Sequence, residues 1–329
     1  MSIDISSAFT PAQMEDHGNH EFTGSEWWQE SALFAISDPA AGFIGYYRIG
    51  RHPYLKASNA YYWTSATGAG VNDRQFQWGQ PTSNEDVNDT KVADLRFETL
   101  APMESYRILI ERSDYTLDVV FKPFFHPQMV HVAIGGASIA KGHFEGIGRA
   151  VGTLKTNGET TAIDAYGFMD RSWGERKSHI PASKWVFAVF DPQNFVHAFP
   201  VMSPAGTNHL IGYVCVDGKL RQLTDDFETG FQIREDWLTP AACDFRVNDE
   251  DGRKFRFVGK SFGPESIYPF LHGKFCVHAA ATFEFEGRKG EGKGWLENSP
   301  PRALLPGYVD HYKLKDLGMW MRPPGEIVE

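Results

Sequence analysis

The stretch FCVHAAATFEFEG, residues 275–287, decides the fold class. Phe275, Val277, Ala279, Ala281, Phe283 and Phe285 fall at every second position, the spacing of a strand with one buried face. The same alternation recurs in YRILIE (Tyr106, Ile108, Ile110) and in TLDVVF (Leu117, Val119, Phe121). SDPAAG, KTNGE, VDGK, NDEDGRK and EGRKGEGKG punctuate the chain with turn residues at short spacing, which implies antiparallel strands joined by tight connections. Helical periodicity is scarce. A short helix is expected near PAQMED, and SNEDVNDTKVADL reads as a helix or a polar loop. The fold class is therefore all-β, built from antiparallel barrels or sandwiches.

The chain has 329 residues, and a typical domain of about 150 residues predicts two domains. The turn KTNGETT precedes a fresh series of strands, so the division is expected at about residue 160, giving domains 1–160 and 161–329. The proline-rich ending, WLENSPPRALLPGYVDHYKLKDLGMWMRPPGEIVE, predicts an irregular tail.

Hydrophobic residues make up 42% and aromatic residues 14% of the chain, with 25 Phe, 12 Tyr and 9 Trp. This composition excludes disorder and suits large apolar cavities. A net charge of -10 repels phosphate backbones and anionic membranes at long range, which argues against nucleic-acid partners. The N-terminus lacks a basic region followed by an apolar run, and no segment has the roughly 18 apolar residues needed to span a bilayer. A soluble cytoplasmic protein without membrane insertion is expected, and an oligomer is compatible with the composition. Cys215, Cys243 and Cys276 are widely separated, odd in number and without ligand spacing, and read as buried or semi-exposed thiols.

Several motifs fail on their details. GRKGEGKG places Gly294 where a phosphate loop needs Ser or Thr, and its flanks read as strands, so it is a hairpin turn. GIGRAVG has the wrong final spacing for a dinucleotide fingerprint, and no GxSxG elbow occurs. His17 with His20 and His126 with His131 do not join a third ligand at a metal spacing. No cofactor and no metal are required by these patterns.

The informative segment is AYGFMDRSWGERK, residues 165–177, where Asp170, Arg171, Glu175, Arg176 and Lys177 stand among Tyr166, Phe168 and Trp173. Upstream lies HFEGIGRAVGTL, with His143 and Glu145 on one face of a strand. These two stretches resemble the carotenoid hydratase (hydroxyneurosporene synthase) family and its bacterial relatives. The matching positions are Gly167, Phe168, Asp170, Trp173 and Gly174, with His143 and Glu145 before them. The segment EWWQESALFAISDPAAGFIGYYRIGRHP resembles the family's first strand pair, and EGRKGEGKGWLE its closing hairpin. The chain departs from the family at Phe168, where a Tyr is usual, at Arg171, where a His is usual, and at Ser172, where an Asn is usual. These departures point away from carotenoids themselves and towards another apolar substrate.

The resemblance implies two lipocalin-like (calycin-type) domains, the Asp170 stretch opening the second. It also implies a cofactor-independent lyase that hydrates or dehydrates a hydrophobic aromatic, polycyclic or isoprenoid small molecule where the domains meet. Asp170 would be the acid or base, with Arg171 and Arg176 setting its charge and His143 or Glu145 as second proton-transfer group. Trp173, Tyr166, Phe168 and Trp185 would shape the substrate cavity. In GSEWWQES, Trp28 and Glu30 are further lining candidates, although an edge strand with one buried Trp is the plainer reading. Arg48 in GYYRIGRHP is a candidate for binding a carboxylate or phenolate. A structural ion pair at Asp170 is the bland alternative for the cluster. A non-catalytic carrier of apolar ligands and an isomerase or cyclase are the rival functions.

Overall fold

The computed structural model describes residues 5–80, 87–134, 137–138, 140–156, 158–176, 182–202, 207–235, 238–269 and 275–300. Lys177 and the proline-rich tail beyond residue 300 lie outside them. Among the described residues strands dominate, and the helical elements are single 3-10 turns. The helix expected near PAQMED is such a turn, Met14–His17. Asp89–Val92, within SNEDVNDTKVADL, is a strand instead, because Thr90 and Val92 alternate into the interior while pairing holds the segment to Leu95–Ala101.

The first sheet comprises β1 (Ile5–Pro11), β2 (Trp28–Asp38), β3 (Phe43–His52), β4 (Ala57–Ala66), β5 (Val71–Gln80), β6 (Asp89–Val92) and β7 (Leu95–Ala101). It continues with β8 (Ser105–Glu111), β9 (Tyr115–Pro123), β10 (Gln128–Ile134), β11 (Ala137–Ser138), β12 (Gly142–Thr156) and β13 (Glu159–Glu175). Its order is β5-β4-β3-β2-β13-β12-β9-β8-β7-β6. This sheet curls into a nearly closed barrel around Phe34, Tyr47, Tyr62, Phe97, Ile108, Phe121, Phe144, Met169 and Trp173. Ile108 and Phe121 come from the alternating segments of the sequence; each large side chain removed from water contributes about 1.5–3 kcal/mol.

The second sheet holds β14 (Ala182–Asp191), β15 (Asn194–Met202), β16 (Asn208–Val216), β17 (Lys219–Thr229), β18 (Gln232–Ile233), β19 (Pro240–Asp249), β20 (Lys254–Pro269), β21 (Phe275–Phe285) and β22 (Gly292–Ser299). Its order is β17-β16-β15-β14-β22-β21-β20-β19-β18, and pairing of β17 with β19 closes the ring. Phe245, Phe257, Phe283 and Leu296 form its core. The GRKGEGKG turn joins β21 to β22 with Gly287 and Gly290 at positive φ, as the hairpin reading requires.

Strands β2–β9, β12 and β13 belong to one compact unit and β14–β22 to the other, so the change of unit falls between Glu175 and Ala182, past residue 160. From Glu159, which pairs with Thr156, β13 folds straight back along β12 and bonds to β2 on its other side. The Asp170 stretch therefore closes the first unit instead of opening the second. β2 is a central strand between β3 and β13, not the edge that GSEWWQES by itself implies. No helix among the described residues is long and apolar enough to cross a membrane. Cys215, Cys243 and Cys276 are buried thiols and form no disulfide.

Candidate active site

Strand alternation assigns each motif residue to a face. On β13, Met169 and Trp173 point into the barrel core, so Asp170, Ser172, Phe168 and Tyr166 lie on the opposite face. On β12, Phe144 points inward, which puts His143 and Glu145 on the face of Asp170. Antiparallel register then sets Glu145 directly opposite Asp170, and His143 opposite Ser172. His143 Nε2 lies 3.8 Å from Glu145 Oε2 and 3.9 Å from Asp170 Oδ2. Glu145 is 1% exposed. Two carboxylates and an imidazole at such separations can hold and pass a proton, directly after small rotations or through one water.

The register extends this site into rows across the sheet. Tyr61, Arg48, Leu33, Asp170 and Glu145 face one another in turn across β4, β3, β2, β13 and β12. The row beside it runs Asn59, Gly50, Ser31, Ser172 and His143. On the other side runs an apolar row of Trp63, Tyr46, Ala35, Phe168 and Ile147, all buried.

The Arg48 guanidinium donates to Asn59 Oδ1 at 3.3 Å. A Cβ at Gly50 would come within 2.7 Å of both Arg48 Nη1 and Asn59 Oδ1, so the missing side chain makes room for this pair. Arg176 donates to Ser172 Oγ at 2.7 Å, and Ser172 is 3.2 Å from Ser31 Oγ. Burial first, and then the neighbouring Arg48 charge, pushes the Arg176 guanidinium down to about 10, while Asp170 pulls it back up. Arg176 is still a cation at neutral pH.

Thus Asp170, His143, Glu145, Arg176, Arg48 and Phe168 share one face. Tyr166 is further along it, edge-on to Phe124 at 5.7 Å. The structure separates Arg171, Trp173, Trp28 and Glu30 from them, because odd positions of β13 and even positions of β2 point into the barrel. Arg171 donates to the His17 carbonyl at 2.9 Å and lies 5.8 Å from the Phe144 ring centroid. Trp173 stacks on His20 at 3.7 Å, and Glu30 binds His20 and Arg51 at 2.8 and 3.3 Å. These residues build a polar end of the barrel interior, where Glu30, Arg51, Thr90 and Arg171 line a cavity of about 20 Å³, room for about one water. Gly174 has φ of 113°, and a Cβ there would meet the Lys141 backbone nitrogen at 2.6 Å, which explains the motif glycine.

Trp185 belongs to the second sheet, where it lies opposite Glu297. Glu297 in turn faces His278, and their side chains meet at 2.8 Å. Ser31, Asn59 and His278 escaped the reading of the sequence, and Ser172 and Glu297 entered it only as positions in family-like segments, since only the strand register brings them to these places. Lys184, also in the second sheet, is pushed down to about 8 by burial, against the upward pull of Glu297 and Cys276.

Solved structures share this fold at low sequence identity. A protein designated AttH from Nitrosomonas europaea is 15% identical, with 83% of this chain and 92% of that one covered and a TM-score of 0.56. Kievitone hydratase from Nectria haematococca is 14% identical, covering 83% and 88%, with a TM-score of 0.58. CghA, crystallised with Sch210972, is 13% identical over 91% of this chain and 99% of its own, with a TM-score of 0.55. The likeness first read at the Asp170 stretch, to the lipocalin-like fold of the hydratases, therefore holds for the fold. No curated protein matches the chain. Over residues 13–302 the sequence matches DUF7064, described as a domain of unknown function, and the chain belongs to that family.

Proposed function

We propose that this protein is a lyase that adds water to, or removes it from, an apolar small molecule on the Asp170 face of the first sheet. The single observation that carries the reading is the continuous row Arg48, Leu33, Asp170 and Glu145, with His143 within 4 Å of both carboxylates. In the hydration direction, one member of the group delivers a proton to an alkene carbon. Water attacks the adjacent carbon, and its surplus proton passes to another member, so atoms and charge balance. The rings of Tyr46, Tyr61 and Trp63 border the row and favour a developing carbocation by about 0.5–2 kcal/mol for each well-placed face. Arg48 and Arg176 supply positive charge for an oxygen function of the substrate. A fold neighbour named as a hydratase, kievitone hydratase, is consistent with this chemistry.

The test is turnover of a panel of isoprenoid and polycyclic phenolic alkenes and alcohols, followed by mass spectrometry for gain or loss of one water. Asp170→Asn and Glu145→Gln are expected to lower turnover by about 10²–10⁴-fold with the circular dichroism spectrum unchanged. Full turnover in Asp170→Asn would remove the central residue. Tight binding with no change of mass would make the protein a carrier, and a rearranged product of equal mass an isomerase or cyclase.

A further inference from the structure

On β21 of the second sheet, Cys276 and His278 are two residues apart and so share a face. The register of β22 places Glu297 directly opposite His278. One ligand atom from each of Cys276, His278 and Glu297 lies within 4.8 Å of the other two. The three residues are 3%, 0% and 7% exposed. A thiol, an imidazole and a carboxylate converging in a buried place form a donor set of the type that binds zinc, whereas magnesium and calcium prefer oxygen ligands alone.

We propose that Cys276, His278 and Glu297 bind a divalent transition metal of the zinc class in the second unit. These residues stand on the second sheet, whereas the proposed lyase face is on the first. Charge bears on it: a thiolate, a carboxylate and a neutral imidazole around a dication sum to zero, which offsets the cost of burying the two anions, with the Lys184 ammonium as a further positive charge nearby. Geometry supports it as well. Bonds of about 2.0–2.3 Å in a tetrahedron put ligand atoms about 3.3–3.8 Å apart, inside the 4.8 Å limit of the cluster. The 2.8 Å contact of His278 Nε2 with Glu297 Oε2 opens by about 0.5 Å to admit the ion, within the reach of a side-chain rotation. Three protein ligands leave a fourth position for water or a bound molecule, as in catalytic zinc sites. The Trp295 ring, 6.1 Å from that of His278, and Ser266, opposite His278 and buried, stand beside the cluster.

The experiment titrates chelator-treated full-length protein with Co²⁺, following visible d–d bands and near-ultraviolet thiolate-to-cobalt charge transfer, and then displaces the cobalt with Zn²⁺. One equivalent is expected, with intense bands typical of a tetrahedral site. Cys276→Ser should lose the charge-transfer band, and His278→Gln and Glu297→Gln should each weaken binding by at least about tenfold. Circular dichroism and the denaturation midpoint check that each variant folds. Binding of less than about 0.1 equivalent by the wild type, whose folding is not at issue, would overturn the proposal whatever the variants do. So would a cobalt spectrum unchanged by Cys276→Ser.

Discussion

Gly142 and Trp173 face each other at the start of β12 and the end of β13, and their fit gives a sharp test of this packing. A Cβ at position 142 would sit 2.1 Å from Trp173 Cζ2 and 2.4 Å from Cε2, whereas carbon atoms prefer about 3.5–4.0 Å. The indole is buried, stacks on His20 at 3.7 Å and meets Phe144 edge-on at 6.3 Å, so it has little room to retreat. Gly142→Ala is expected to cost about 1–3 kcal/mol by overpacking. Trp173→Ala removes a buried ring and is expected to cost about 3–5 kcal/mol. In the Trp173→Ala background the clash is gone, and alanine is better than glycine in a strand by about 0.5–1 kcal/mol. Gly142→Ala should therefore change sign, destabilising the wild type and stabilising the variant, with a coupling energy of about 1.5–4 kcal/mol. Urea denaturation of the four proteins, followed by far-ultraviolet circular dichroism, measures the cycle. Two effects that simply add, within about 0.5 kcal/mol, would refute the strand register and the placement of the indole.

Two further outcomes concern the second sheet. Burial takes the Lys184 ammonium from the usual 10.5 down to about 8, so folding carries a penalty of about 3 kcal/mol below pH 8 that is relieved as pH rises towards 10.5. Lys184→Met should be more stable than the wild type at pH 7, by about 2 kcal/mol once its hydrogen bond to Asn298 is subtracted. That advantage should shrink by pH 10, and denaturation curves showing the same difference at both values would contradict it. Asp249 accepts hydrogen bonds from the backbone of Asp251 and Arg253 at 3.0 and 2.9 Å and from Arg253 Nε at 2.7 Å. Burial raises its carboxyl, but these donors outweigh that and hold it below the ordinary range. Asp249→Asn is expected to cost about 1.5–3 kcal/mol at pH 7. Because its folded value is lowered, the stabilisation is present above pH 4 and fades as acid protonates the wild type. Melting temperatures of the two proteins should therefore draw together as pH falls below the ordinary carboxylate range.

The sequence by itself determined that the chain is all-β, because two-residue alternation in segments such as 106–111 and 275–285 reports a strand with one buried face wherever the strand is placed. It also marked Asp170, His143 and Glu145 as candidates, because their residue types can exchange protons. Tertiary structure decided the company they keep. Arg171 and Trp173 adjoin Asp170 in sequence, yet a strand sends neighbours to opposite faces, so they serve the barrel interior while Arg48, more than a hundred residues away, joins the Asp170 row. The unit boundary has the same cause: the turn sequence KTNGETT looks like an ending, yet hydrogen bonds to β12 and β2 hold β13 in the first sheet. Cys276, His278 and Glu297 follow no familiar ligand spacing, because the hairpin register that brings Glu297 opposite His278 is set by backbone pairing between strands and leaves no mark in any single local pattern.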